Sequence, residues 1–217
     1  AGFSNAGQSC GGVERVYVHK DIYDAFMGEL KLRVESLRIG DGSRLDTDIG
    51  AMTTAAQCEL VRAHIDDALK KGATIYAKAE PDAEVKSDRL LPAVVLADVT
   101  HDMHVMREET FGPVIAIMAV DNMDDAVRLA NDSELGLTGS VWSRNRKTAM
   151  QLARRIQAGA VTINDHLMSH GLPETAWGGF KESGIGRSHG RLGFMEMVQM
   201  QMLVNDVMPG VRRSLWW

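Results

Sequence analysis

Cys10 has the sequence surroundings that a reactive thiol needs. It lies in the polar, glycine-rich stretch FSNAGQSCGG over residues 3–12. Small neighbours let a substrate carbonyl approach the sulfur, and a loop that enters a helix would offer backbone N–H groups to a developing oxyanion. Free cysteines are more often buried and inert, so these residue types alone leave a nucleophile and a structural thiol equally open.

A second candidate group lies in the stretch EETFGPVI over residues 108–115. A Glu-Glu pair on a loop is usually solvated, a lone phenylalanine usually packs in a core, and Gly-Pro shapes turns. From the residue types alone, Glu108, Glu109 and Phe111 are therefore better explained by structure than by chemistry.

Metal binding is not predicted from the histidines. His166 and His170 are four residues apart, as paired ligands on a helix are, but no nearby cysteine or carboxylate completes a ligand set. His101 and His104 have the sequence context of solvated loop residues. Cys58 lies on the apolar face of a predicted helix, which indicates a buried structural thiol.

Composition and charge exclude several classes of protein. The 217 residues are 45% hydrophobic and 24% charged, which suits one large globular domain or two small ones. The net charge is −5 and no Lys/Arg run exceeds two residues, so neither a nucleic acid nor an anionic membrane is an expected partner. No apolar stretch approaches the roughly 20 residues of a membrane helix. Two cysteines are too few for a disulfide framework and favour a cytoplasmic location.

Strand and helix patterns alternate along the chain, which predicts an α/β fold with a mostly parallel open sheet and helices on both faces. Strands are expected over 13–19, 73–77, 90–96, 113–120, 137–143 and 160–164, and helices from Asp21, over 53–71, over 123–131 and over 145–157. The runs at 90–96 and 113–120 are continuously apolar, as in strands buried on both faces. Residues 198–204 alternate between apolar and mostly polar, which predicts a terminal strand at a sheet edge of this chain or of a neighbouring copy.

Taken together, the motifs resemble those of the NAD(P)-dependent aldehyde dehydrogenases. FSNAGQSC is similar to the active-site signature of that family, and EETFGPVI to its Glu-Glu-x-Phe-Gly-Pro-Val stretch. WGGFKESGIGR, over 177–187, is similar to its Gly-Gly-x-Lys-x-Ser-Gly stretch, although the residues alone indicate only loop architecture. GLTGSVWS followed by GAVTIND matches a strand pair of the family in the same order. The resemblance runs from about residue 2 to about residue 200.

The resemblance implies a reaction and three site residues. Cys10 matches the nucleophile, which attacks an aldehyde to give a thiohemiacetal, passes hydride to NAD or NADP, and leaves a thioester that water hydrolyses to the acid. The Cys10 N–H would be one oxyanion donor. Glu109 matches the glutamate that holds the nicotinamide ribose, a role that suits a carboxylate because it can accept two hydrogen bonds from a diol. Phe111 matches the aromatic residue near the same ring. No metal is implied.

The resemblance also implies a division of the chain. Residues 1–197 would be the catalytic domain, and 198–217 a C-terminal strand or tail that could serve oligomerisation. The family's N-terminal dinucleotide-binding domain, with a second oxyanion donor and the general base, has no matching motif here, so we expect the chain to begin inside a longer protein and to be inactive alone. Gln199 stands where some relatives have a second glutamate, so no proton relay is expected there.

Three functions stay open at this point. The first is the catalytic part of an aldehyde dehydrogenase, with a small aldehyde as substrate and a homo-oligomeric assembly. The second is a non-catalytic, self-associating module with an idle thiol. The third is a thiol esterase that needs no cofactor, because a cysteine with one oxyanion donor can be acylated directly.

Overall fold

The computed structural model of the chain describes residues 1–166 and 168–205. The strands are β1 Arg15–His19, β2 Thr74–Ala79, β3 Ala93–Ala97, β4 Val114–Val120, β5 Leu135–Gly136, β6 Thr138–Val141, β7 Ala160–Ile163 and β8 Phe180–Lys181. The α-helices are α1 Lys20–Glu35, α2 Ala55–Lys70, α3 His104–Arg107, α4 Met123–Asn131, α5 Arg146–Ala153, α6 Met168–Gly171 and α7 Gly190–Met195. A short 3₁₀ turn, Ser4–Gly7, precedes β1.

The largest sheet has four strands in the order β1-β4-β3-β2. Strands β1, β4 and β3 run parallel, and β2 pairs antiparallel with β3 at one edge. Successive strand residues point to opposite faces, and the β3 residues divide accordingly. Val94 packs with Val61 of α2, and Val95 packs with Met27 of α1 in a separate cluster. The predicted α/β fold, mostly parallel with helices on both faces, is confirmed.

The ends of the long helices follow from local sequence. Helix α2 begins after Thr54, whose side chain accepts a hydrogen bond from the N–H of Gln57 at 3.2 Å. It ends before Gly72, which adopts φ +102 as a glycine after a helix often does. Cys58 lies on the inner face of α2 with no exposed surface, so its predicted burial is confirmed.

A second part of the fold contains two strand pairs. Strands β6 and β7 are parallel, and β5 pairs antiparallel with β8. The predicted strand over 137–143 is shorter than expected, and the helix predicted over 145–157 ends at Ala153. Gly159 and Gly178 meet so closely that a Cβ on Gly159 would lie 1.6 Å from the Gly178 carbonyl oxygen.

The strand predicted over 198–204 is wrong for this chain taken by itself. Helix α7 ends at Met195, and residues 198–205 form no strand within the described part of the chain. A period-two pattern gives a segment one apolar face, but a strand also needs a hydrogen-bonded neighbour, which the pattern does not supply. The remainder of the predicted tail, 206–217, lies outside the described residues. Among the described helices, none is both long and apolar enough to cross a membrane.

Candidate active site

Cys10 lies in a tight turn. The N–H of Gly12 donates to the carbonyl of Ser9 at 2.8 Å, which places Cys10 at the second position of a four-residue turn. The thiol is free and exposed, and within residues 1–166 and 168–205 the Cys10 N–H donates to no partner. The turn leads into β1 at Arg15, inside the strand predicted over 13–19, so no helix begins beside Cys10. The turn itself leaves an N–H group beside the sulfur, so no helix is needed to supply one.

The segment before the turn is held by its own amides. Asn5 Nδ2 donates to the Gln8 carbonyl at 3.1 Å, and Gln8 Nε2 returns a bond to the Asn5 carbonyl at 3.0 Å. Gln8 Oε1 also accepts from the N–H of Thr53 at 2.9 Å. Asn5 and Ala6 have φ of 52 and 56, a left-handed conformation that costs about 1 kcal/mol or more for a residue with a side chain. The side-chain bonds offset that cost and fix the base of the turn.

Two sequence motifs meet at Gly7 and Gly112. A Cβ on Gly7 would lie 2.0 Å from the Gly112 carbonyl oxygen, and Gly7 has φ +72. Only glycine combines that conformation with that approach. The cysteine segment and the loop over 108–112 are therefore in direct backbone contact, although they are about a hundred residues apart.

Glu14 joins the same two segments and was missed by the sequence analysis. Its Oε1 accepts the N–H of Phe111 at 2.7 Å. Phe111 has φ +49, so this bond holds a backbone conformation that is otherwise unfavourable. Burial raises the pKa of the Glu14 carboxyl, and the bonds from the Phe111 and Thr110 backbone act in the opposite direction. The available signal was a carboxylate at the entrance of a predicted strand.

The other side of the loop is attached to α2. Gln57 Nε2 donates to the Thr110 carbonyl at 2.8 Å, and His64 Nδ1 lies 3.1 Å from the Thr110 hydroxyl. His64 Nε2 lies 3.4 Å from Glu108 Oε2. Burial lowers the pKa of His64, and the nearby Glu108 acts in the opposite direction. These contacts give Glu108 a structural role, as its residue type alone suggested.

The candidate cofactor residues lie on this anchored loop. Glu109 is exposed, and within the described residues its carboxylate forms no hydrogen bond or ion pair. Phe111 is partly buried. The structure brings their loop against the Cys10 segment, but no hydrogen bond among the described residues joins Cys10 to Glu109 or Phe111 directly. A carboxylate and an aromatic ring on a loop that touches the Cys10 segment have the residue types that a ribose diol and a nicotinamide need.

The histidines predicted to be solvated differ from each other. His101 is not solvated: its Nε2 lies 2.9 Å from the Tyr17 hydroxyl and its Nδ1 lies 3.2 Å from Asp132 Oδ2. The prediction failed because Tyr17 and Asp132 are distant in sequence. His104 is about half exposed and stacks on His64 at a ring distance of 5.6 Å.

His166 and His170 have separate environments. His166 is buried and its Nε2 contacts the carbonyl oxygen of Gly11, next to Cys10. His170 packs edge-on against Trp177 at 4.9 Å. Among the described residues, no three side chains of the metal-ligating types form a group that could hold a metal ion.

The glycine-rich stretch over 177–187 supports its neighbours. Lys181 Nζ donates to the carbonyls of Asn131 and Ser133 at 2.7 and 2.8 Å, just where α4 ends. A cation in this place satisfies carbonyls that the helix leaves free. The stretch, all of it within the described residues, contains the two-residue strand β8, which the sequence did not predict, and forms no other strand and no helix, in agreement with the loop predicted there.

Comparisons with known proteins identify the class. The model of the aldehyde dehydrogenase family matches residues 1–203. A putative succinate-semialdehyde dehydrogenase (NADP(+)) 2 of Mycobacterium ulcerans is 36% identical over 99% of this chain and 42% of its own length. A 4,4'-diapolycopene aldehyde oxidase of Methylomonas sp. is 40% identical over 89% of this chain and 35% of its own length.

Solved structures of aldehyde dehydrogenases also superpose on this chain. Lactaldehyde dehydrogenase from Escherichia coli superposes with a TM-score of 0.85 at 33% identity, over 92% of this chain and 41% of that one. An aldehyde dehydrogenase of Mycobacterium tuberculosis complexed with NAD+ gives a TM-score of 0.86 at 31% identity, over 91% of this chain and 40% of that one. The chain belongs to the aldehyde dehydrogenase family. It spans about two-fifths of the length of these relatives.

Proposed function

We propose that this chain is the catalytic part of an NAD(P)-dependent aldehyde dehydrogenase that oxidises a small aldehyde to a carboxylic acid. One observation carries the proposal: the exposed thiol of Cys10 lies on a turn whose base touches the loop that bears Glu109 and Phe111. Covalent chemistry at the sulfur and contact with the cofactor would then occur side by side.

The Cys10 thiolate attacks the carbonyl carbon of the aldehyde, and the C–S bond forms as the carbonyl electrons move to oxygen. The Cys10 N–H donates to that oxyanion, which is the charge that most needs stabilisation. A bound nicotinamide would supply the acceptor for the hydride that leaves the former aldehyde carbon. Attack of water on the resulting Cys10 thioester breaks the C–S bond and releases the acid, and one proton of the water goes to the sulfur to restore the thiol.

Glu109 and Phe111 orient the cofactor in this proposal. The Glu109 carboxylate would hold the ribose diol by accepting its hydrogen bonds, and Phe111 would contact the nicotinamide end. Support comes from the free carboxylate of Glu109 and from the bonds that hold its loop at Glu14, Gln57 and His64. A loop fixed at both sides would hold the cofactor in one orientation, and such positioning accounts for much of the rate of a transfer reaction.

We place the enzyme in the cytoplasm, because Cys10 and Cys58 are both free thiols. Either NAD or NADP is the oxidant in the proposal. The Mycobacterium ulcerans relative is named for succinate semialdehyde and NADP(+), which makes that pair the first to assay.

We also propose that activity needs a dinucleotide-binding part acting together with the residues described. Support comes from the relatives, of which this chain matches only about two-fifths. The test measures NAD(P)-linked aldehyde oxidation by the 217-residue chain and by the chain joined to the N-terminal part of a related enzyme. Little turnover is expected from the first and clear turnover from the second.

Cysteine variants complete the test. Cys10→Ser should abolish oxidation by the joined protein, whereas Cys58→Ser should retain it because that thiol is buried. Vigorous oxidation by the chain alone would contradict the proposed need for a second part. A joined protein that folds, binds cofactor and stays inactive would favour the non-catalytic alternative.

A further inference from the structure

The turn that presents Cys10 is held from a distant part of the chain. The peptide group between Gly11 and Gly12 is bonded at both ends: its N–H donates to the Ser9 carbonyl at 2.8 Å, and its carbonyl oxygen contacts His166 Nε2. This peptide closes the turn around Cys10. The imidazole therefore contacts the backbone of Gly11, the residue after the proposed nucleophile, across 155 positions of sequence.

The chemistry of the contact fixes the tautomer of His166. A carbonyl oxygen only accepts hydrogen bonds, so Nε2 must carry the hydrogen. Nδ1 is buried and has no hydrogen-bond partner among the described residues, so within them the ring belongs to no other network. His166 is only 8% exposed, which makes a bond to the backbone more valuable than it would be in water.

Strands β6 and β7 position the imidazole of His166. At the end of β7, Asn164 Oδ1 accepts the N–H of Ser143 at 2.8 Å and Asn164 Nδ2 donates to the Ser143 carbonyl at 2.9 Å. Thr162 Oγ1 donates to the Asp165 carbonyl just before His166. The segment that carries the ring is therefore tied to the β6–β7 pair, and on the same pair Thr138 lies close to Gly11.

We infer that His166 is a positioning residue of the nucleophile: its Nε2–H holds the Gly11 carbonyl so that the Cys10 N–H points at the oxyanion. This inference rests on the proposed role of Cys10. Without the His166 contact the turn could rotate. The sulfur would then stay accessible, but the Cys10 N–H would no longer point at the oxyanion that forms during acylation. Steps that build an oxyanion should then depend on His166, and steps that do not should be indifferent to it.

Two reagents on the 217-residue chain separate these steps. Acylation of Cys10 by p-nitrophenyl acetate passes through an oxyanion, whereas alkylation by iodoacetamide displaces iodide directly and forms none. Both rates are measured at Cys10 by mass spectrometry, with buried Cys58 as the internal report of unfolding. The variants are His166→Leu, His166→Asn, whose amide is too short to reach, and His166→Gln, whose amide reaches the position of Nε2. His170→Leu is the control on the same segment.

We expect His166→Leu and His166→Asn to lower the ratio of acylation to alkylation by at least about tenfold, since loss of an oxyanion donor costs about 10² to 10³ in rate. His166→Gln should stay within about threefold of wild type and His170→Leu should equal it. If Cys58 becomes reactive in His166→Leu, that variant has unfolded, and the inference is then tested by comparing His166→Asn with His166→Gln. A wild-type ratio in the Leu or Asn variant, or equal losses in Asn and Gln, overturns the inference alone. A wild-type Cys10 that is alkylated but never acylated overturns the proposed nucleophile together with the inference.

Discussion

At the scale of single residues, the carboxylate of Glu14 is partly buried between β1 and the loop over 108–112. Its Oε1 accepts the Phe111 N–H at 2.7 Å, and burial raises its pKa above the ordinary value of 4.5. A raised pKa means that the folded chain holds the proton more tightly than the unfolded chain does. The resulting stabilisation is complete below the unfolded pKa and is lost as pH rises through the folded pKa.

Glu14→Gln keeps an acceptor for Phe111 and removes the titration. The difference in free energy of unfolding, wild type minus variant, should therefore fall as pH rises from about 4 to about 7. Urea unfolding across that range measures it. Glu29→Gln, at an exposed position of α1, is the control for the chemistry of the substitution itself. A difference that grows with pH would show that the ionised carboxylate is the favoured form.

Glu14→Leu makes a separate prediction, because it removes the acceptor as well as the charge. The Phe111 N–H then loses its partner in a partly buried place, and an unmade bond of this kind costs about 1–3 kcal/mol. Urea unfolding at neutral pH should show Glu14→Leu less stable than Glu14→Gln by about that amount. Equal stabilities would mean that water replaces the carboxylate at Phe111.

The sequence indicated Cys10 and Glu109 as site residues, but it did not indicate the contacts of Glu14 and His166. Cys10 and Glu109 belong to contiguous motifs, and the structure puts both on exposed, adjoining segments. Glu14 and His166 were not predicted in their present roles, because each acts through a backbone group that is distant in sequence. A side chain that bonds a carbonyl or an N–H leaves no residue-type signal at the partner position. Contacts of this kind can be recognised only in the three-dimensional structure.

At the scale of elements, glycines can have opposite effects on stability. In Gly7 a Cβ would lie 2.0 Å from the Gly112 carbonyl oxygen at φ +72, whereas in Gly28, inside α1, a Cβ would meet nothing within 4 Å. The first glycine permits two active-site segments to meet. The second only weakens a helix.

The same substitution should therefore change sign between the two positions. Gly28→Ala should stabilise the chain by about 0.5–1 kcal/mol, since alanine is the better helix former. Gly7→Ala should destabilise it by about 2 kcal/mol or more, because strain and a backbone clash add. Urea unfolding of both variants and of the wild type measures the two changes in the free energy of unfolding. A stabilising Gly7→Ala would show that the two motifs are not in the contact described.

Periodicity predicted the four longer helices, α1, α2, α4 and α5, and the buried strands, because the burial of one face or of two faces sets the order of apolar residues in the local sequence. The short helices α3, α6 and α7 were not predicted. Periodicity gave neither the antiparallel direction of β2 nor the absence of a strand over 198–204. Both depend on which neighbour a strand finds. The loop over 108–112 illustrates the same point, since its anchors come from β1's entrance and from α2.

At the scale of the whole molecule, the apolar surface is unevenly distributed. The sheet and its two long helices bury two apolar clusters, whereas Met197, Met200, Met202 and Val204 are each more than 80% exposed. Apolar patches of this kind usually mark a surface that another chain covers. The segment also has the alternating pattern of a strand without a strand's hydrogen bonds, so its backbone groups are available to a partner's sheet edge.

We expect the chain to form a homo-oligomer through this segment, and the alternation supplies a matched pair of variants. Met200→Lys with Met202→Lys charges the apolar face, whereas Gln199→Lys with Gln201→Lys adds the same charge to the other face. The methionine pair should shift sedimentation equilibrium towards the monomer, and the glutamine pair should leave the assembly intact, because only the first buries a charge in the contact. Equal effects of the two pairs would point to general charge repulsion in place of a packed face, and a wild-type chain that sediments as a monomer at every concentration would contradict self-association altogether.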